Sequence, residues 1–202
     1  MIFFMIWCFF SQGIFHHDSV FGWPLIERTS VAVCGCYYRC VKHLMFAYGS
    51  NMDLDDLARW AQSKGLPTPR VFDHYVACLR GFERVWNYHS RARAGGAANV
   101  QPAEGCCVWG LVLEVDLETR HLIDRKEGHP DRYSRGEAPL VVELPQDGRT
   151  VRAWVYQVTP PHIRDELIPP TQAYLDLIIQ SAIRHNFPPG AVEALQATPI
   201  RG

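Results

Sequence analysis

The chain has 202 residues, 48% of them apolar and 20% charged, a composition that excludes a disordered or fibrous protein. A net charge of −1 gives no electrostatic reason for nucleic acid or an anionic membrane as the partner. No apolar run reaches the ~18 residues that a bilayer-spanning helix needs.

Residues 1–43 differ from the rest. They carry 10 of the 24 aromatics but only 5 of the 41 charges. The opening MIFFMIWCFF has no basic flank and no small-residue cleavage site, so it is a poor secretory signal. Cys34-x-Cys36-x3-Cys40-x2-His43 has a one-residue gap and an incomplete second pair. It reads as incidental thiols rather than a zinc site. Arg outnumbers Lys 17 to 3, which suggests GC-rich codons and frames with few chance stops. The expectation is that 1–43 is a non-native or disordered extension, with Met45 the authentic start. One domain then covers 44–198.

Leu44–Tyr48 is a short apolar run, expected as a buried strand. Gly49-Ser50-Asn51 makes a turn, and Asp53–Ala61 reads as a helix with acids in its first turn, ended by Gly65 and Pro67. Val71–Arg80 and Phe82–Tyr88 read as two strands broken near Gly81, and Arg91–Asn99 as a loop. Gly105–Val115 reads as a mostly buried strand. Asp116 caps a helix Leu117–Lys126, which Gly128 and Pro130 stop. Leu140–Leu144 and Val151–Val158 flank Asp147-Gly148, a hairpin signal. A wrapping loop 159–170, a helix Thr171–Asn186 and a short helix Pro188–Leu195 complete the chain. The order fits a single mixed α+β domain, a small barrel or sheet flanked by helices.

Candidate chemistry is sparse. Tyr48-Gly49-Ser50-Asn51 joins a strand to a helix start, where free N–H groups and the side chains of Ser50 and Asn51 can meet an anion or oxyanion; an ordinary capped turn has the same sequence. Glu127 at a helix end beside Gly128 could be a positioned acid/base, although a carboxylate in such a place is ordinarily a solvated helix-end charge. Tyr133 and Tyr174 are residues of a type that more often packs than touches a substrate. Gly95-Gly96 lacks the Lys-Ser/Thr of a phosphate loop, and Ser50 lacks a Gly-x-Ser-x-Gly elbow. Cys106-Cys107 reads as buried thiols, and the nine histidines show no metal-ligand spacing.

In combination these pieces resemble the γ-glutamylcyclotransferase-like family. FAYGSNM at 46–52 is similar to its strand-and-loop signature. GGAANVQP at 95–102 with VWGLVLEV at 108–115 resembles its glycine loop and following strand. LIDRKEG at 122–128 followed by Tyr133 resembles its catalytic-glutamate segment. PPTQAY at 169–174 and FPPGAVEAL at 187–195 resemble its C-terminal part. The resemblance implies a substrate loop of Tyr48, Gly49, Ser50, Asn51 and Met52, a general acid/base Glu127, and pocket tyrosines Tyr133 and Tyr174. It implies a small γ-glutamyl substrate cyclised to 5-oxoproline without a metal or other cofactor, in a cytoplasmic protein. Neither nucleic acid nor membrane is an expected partner, and oligomeric state is left open. Asn51 departs from the glutathione-specific branch, which has Leu there, and Gln180-Ser181-Ala182 departs from the usual small Gly-Ala pair. The competing reading is a non-catalytic small-molecule binding module on the same fold.

Overall fold

A computed structural model describes residues 41–201. Cys34, Cys36 and Cys40 therefore lie outside the described residues, as does most of the expected extension. His43 sits in the first strand, with Nδ1 3.4 Å from Arg120 Nη1.

Five strands, β1 (His43–Ala47), β2 (Val71–Ser90), β3 (Gly95–Val115), β5 (Leu140–Leu144) and β6 (Arg149–Val155), close a barrel in the order β1-β3-β2-β5-β6. Strand β1 runs antiparallel to β3 and parallel to β6, and the second pairing seals the sheet. With both edges taken, β1 can be apolar, and Met45, Phe46 and Ala47 are buried. The Asp-Gly hairpin joins β5 (Leu140–Leu144) to β6 as expected. The mixed α+β class with a small barrel and flanking helices is the fold observed.

Strand β2 (Val71–Ser90) is one bent strand rather than the two expected. Gly81 at φ 74° lies at the register shift between Arg80 and Phe82, where the chain bends and its pairing with β3 resumes in a new register, from Cys107 to Pro102. The expected loop 91–99 is corrected more sharply. Only 91–94 turn, and Gly95 onward is strand, paired with Ser90 and His89. The 159–170 segment crosses here, and a Cβ on Gly96 would stand 1.7 Å from the Ile168 carbonyl oxygen. These glycines admit a second backbone, with Gly96 N–H donating to Pro169 O at 3.0 Å.

The expected strand Val151–Val158 is split at Tyr156. Beyond it, β7 (Gln157–Val158) leaves the barrel to pair with β4 (Tyr133–Ser134). The Asn99 side chain accepts from Val158 N–H at 2.9 Å and fixes the departure.

Helix α1 (Leu54–Ser63) is capped by Asp53, whose carboxylate accepts from Asp56 N–H at 2.8 Å. Helix α2 (Leu117–Glu127) is capped by Asp116 and ends at Gly128 in the left-handed region, φ 71°. Helices α3 (Gln172–Arg184) and α4 (Pro189–Gln196) close the chain. No helix of the described residues is long and apolar enough to cross a membrane.

Candidate active site

Tyr48 leaves β1 buried, and its hydroxyl donates to Tyr156 O at 2.5 Å. Gly49 then turns the chain into a single 3-10 turn, Ser50–Met52. The first N–H groups of such a turn, those of Ser50 and Asn51, have no partner inside it. Gly49 faces Tyr174, since a Cβ there would stand 3.1 Å from the Tyr174 hydroxyl. Met52 points the other way. It is fully buried in the core and does not line the cavity, in contrast to the other four loop residues.

Glu127, in the last turn of α2, meets this loop. Asn51 Nδ2 donates to Glu127 Oε1 at 2.7 Å. That bond orients the amide and leaves Asn51 Oδ1 buried without a partner. Removal from water pushes the Glu127 carboxyl above its ordinary pKa, against the opposing pull of Lys126 and of the Asn51 bond. The negative end of the α2 dipole acts in the same direction as burial.

Tyr133 and Tyr174 close the recess with Glu127. The Tyr133 hydroxyl donates to Ala98 O at 2.9 Å. Burial raises the pKa of Tyr48 and Tyr133 strongly and that of Tyr174 to about 12, so all three are neutral walls near neutral pH.

The recess holds about 40 Å³ and opens into a cleft of about 380 Å³; Ser50, Glu127, Tyr133 and Tyr174 line both. The outer cleft contains a group that sequence reasoning missed. Asp56 of α1 accepts from Arg93 at 2.7 Å and from Lys126 at 3.1 Å. Burial opposes ionisation of Asp56, but the two cations prevail and hold its pKa below the ordinary value. Arg93 also lies over the Tyr174 ring, 5.1 Å from its centroid. The three are distant in sequence, and only the adjacency of Lys126 to Glu127 hinted at them.

Behind the loop, Arg84 Nη2 donates to Tyr48 O at 3.0 Å and to Trp109 O at 2.9 Å. Asp124, one turn before Glu127, accepts from the Tyr156 hydroxyl at 2.6 Å and from Arg135 at 3.0 Å. It buttresses Tyr156 and does not face the cleft. The arrangement thus offers one desolvated carboxyl, one amide and a backbone turn in a single recess, with a charged vestibule outside.

The sequence pattern of a family described as gamma-glutamyl cyclotransferase, AIG2-like, matches residues 45–176. A Methanocaldococcus jannaschii protein, "Putative gamma-glutamylcyclotransferase MJ1514", is 40% identical over 47 residues, 23% of this chain and 37% of that protein. The match therefore spans well under half the length of that relative. Among solved structures, a gamma-glutamyl cyclotransferase superposes with a TM-score of 0.64 at 24% identity, covering 80% of this chain and 90% of that one. An uncharacterised human protein gives 0.63 at 25% identity, over 79% and 89%. YkqA from Bacillus subtilis gives 0.62 at 22% identity, over 79% and 56%.

Proposed function

The chain belongs to the gamma-glutamyl cyclotransferase, AIG2-like family, and from that premise we propose that it cyclises a γ-glutamyl group on itself, with 44–198 as the catalytic domain. The α-amine of the glutamyl group attacks its own γ-carbonyl carbon. The C–N bond to the leaving amine breaks, and 5-oxoproline and the free amine are released. Because the nucleophile is already tethered, the protein's task is to select the folded conformer and to move protons.

Glu127 is the group that moves them. As a carboxylate it takes the proton that the attacking nitrogen loses, and as the acid it hands a proton to the departing nitrogen. A raised pKa makes the protonated form accessible at higher pH than for an ordinary carboxyl, which suits a group that must both take and give a proton. Asn51 Oδ1, which lacks a partner, suits an N–H of the substrate amine. The N–H groups of Ser50 and Asn51 suit the oxyanion or the substrate carboxylate. Tyr48, Tyr133 and Tyr174 exclude water from the recess.

The observation that carries this reading is the Asn51–Glu127 hydrogen bond, which sets a desolvated carboxyl against the turn at 49–51. The test is incubation with a panel of γ-glutamyl dipeptides and γ-glutamyl amines, reading 5-oxoproline. Release from at least one member is expected. Binding without turnover across the panel would overturn the reading in favour of a non-catalytic binding module.

A further inference from the structure

A second cavity of about 310 Å³ lies between β2, β3 and α4, and it shares no lining residue with the catalytic recess or cleft. Trp86, Trp109, Phe187 and Leu195 supply apolar walls, and Glu83 and Arg84 are its charged members. Cys106 and Cys107, exposed rather than buried as expected, complete the β3 side. The Trp109 and Phe187 rings stand 6.5 Å apart, centroid to centroid. The size is at the lower end of that for small-molecule sites, about 300–1,000 Å³.

Arg84 is the unusual member. Its Nη2 is used on the carbonyls of Tyr48 and Trp109, and its Nε is buried without a partner. It has no carboxylate pair among the described residues. The neighbouring Glu83 accepts instead from Gln101 at 2.8 Å. Burial lowers the Arg84 pKa to about 10, so the group remains cationic at neutral pH. A half-buried cation whose partners are backbone carbonyls is incompletely compensated, and an arriving carboxylate would relieve that cost. A guanidinium also matches a carboxylate in shape.

We propose that this cavity is a second binding site, for a small monocarboxylate with an aromatic or branched apolar body, with Arg84 as the partner of its carboxylate. The apolar body lies between Trp109 and Phe187. The site backs directly onto the catalytic one. Arg84 holds the Tyr48 carbonyl, one residue before Gly49, and Trp86 meets Tyr174 edge to face at 6.1 Å. A carboxylate on Arg84 therefore competes for the guanidinium that supports the catalytic turn.

Calorimetry on the full chain tests the site, with phenylacetate as the probe and phenylacetamide as its neutral counterpart. Saturable binding of phenylacetate is expected, with phenylacetamide weaker by about tenfold or more, the usual worth of a charge-assisted hydrogen bond. Arg84→Gln should abolish the difference between the two probes. Arg84 also supports the fold, so Ala194→Trp is the second variant. Ala194 is exposed at the cavity rim, and an indole there fills the space while leaving Arg84 in place. Loss of phenylacetate binding in Ala194→Trp and its persistence in Glu127→Gln would support the proposal. Absence of saturable binding, equal affinity for the amide, undiminished binding in Ala194→Trp, or loss in Glu127→Gln would each overturn it.

Discussion

Asn51 and Glu127, 76 positions apart, share a 2.7 Å hydrogen bond across the mouth of the recess. Each fixes the other. The carboxylate can only accept, so it turns the amide Nδ2 inward, and the amide holds the carboxyl over the turn at 49–51. Burial drives Glu127 towards its neutral form, while the Asn51 bond favours the charged form. The proton affinity of Glu127 is set by that balance.

Glu127→Gln keeps the size of the side chain and removes its proton chemistry. Turnover should fall by about 10²–10⁴-fold, the range for general acid–base catalysis, with KM nearly unchanged. The control is Glu118→Gln, an exposed carboxyl in the first turn of the same helix, which should leave turnover intact. Asp124 is unsuited to that role, because it anchors Tyr156 and Arg135. Equal losses in the two Gln variants would remove Glu127 from the chemistry.

The same substitution should act on stability with a defined sign. The folded-state pKa of Glu127 is raised, so the folded chain binds that proton more tightly than the unfolded chain does. The stability this gives is complete below the unfolded value of about 4.3 and is lost as pH rises through the folded value. Gln has no such loss. Thermal melts should therefore place Glu127→Gln above the wild type at pH 7, with the gap closing towards pH 4. A gap independent of pH, or a less stable variant at pH 7, would contradict the burial of a charge there.

Asn51→Ala removes the donor that favours the carboxylate, so the Glu127 pKa should rise further. If the ionised form is the working base, the acidic limb of the kcat/KM profile moves to higher pH. Activity at the plateau should fall less than in Glu127→Gln, since the proton carrier remains. A profile with an unmoved acidic limb would show that the hydrogen bond does not tune the base.

Lys126 is deeply buried beside Asp56, and Arg93 reaches the same carboxylate oxygen. Asp56→Asn would leave both cations without their anion. Removing one partner of a fully buried pair costs ~3–5 kcal/mol; the open cleft lets water reach Arg93, so about 2 kcal/mol is expected here. Chemical denaturation reads it. Lys126→Met in the same background should restore part of the loss, because it removes a buried charge along with its demand for a partner.

The legible parts of this molecule were those where local chemistry and tertiary demand agree. Asp53 and Asp116 announce two helix starts, Gly128 announces a stop, and Asp147-Gly148 announces a hairpin; each is seen. Seven of the named site residues converge on the recess: Tyr48, Gly49, Ser50 and Asn51 from the turn after β1, Glu127 from α2, Tyr133 from β4 and Tyr174 from α3. What stayed hidden depends on segments meeting at long range. Met52 follows the loop motif but turns into the core, because a 3-10 turn sends successive side chains about a third of a turn apart. Asp56, Arg93 and Lys126 form a cluster only because the turn at 91–94 brings Arg93 to the mouth between α1 and α2.

The clearest of these hidden demands is at Gly96. Composition made RARAGGAAN read as a loop, since glycine and alanine are weak strand formers. The backbone is nonetheless extended and paired, and the reason stands opposite it. The 159–170 segment is tied along the same arm by Ile168 N–H to Trp86 O at 2.7 Å and by Gly96 N–H to Pro169 O at 3.0 Å. A methyl on Gly96 would meet backbone atoms of Ile168 and Pro169, at 1.7 Å for the nearest, and backbone has no rotamer with which to yield. Gly96→Ala should therefore push the segment off the arm and weaken both bonds, at a cost of about 2 kcal/mol or more, above that of an ordinary surface change. Because Pro169 leads directly into α3, Tyr174 should shift with it and turnover should fall too. Gly190→Ala is the comparison, since nothing lies within 4 Å of a Cβ there. Melting curves that coincide for the two variants would mean that the crossing segment does not pack on Gly96.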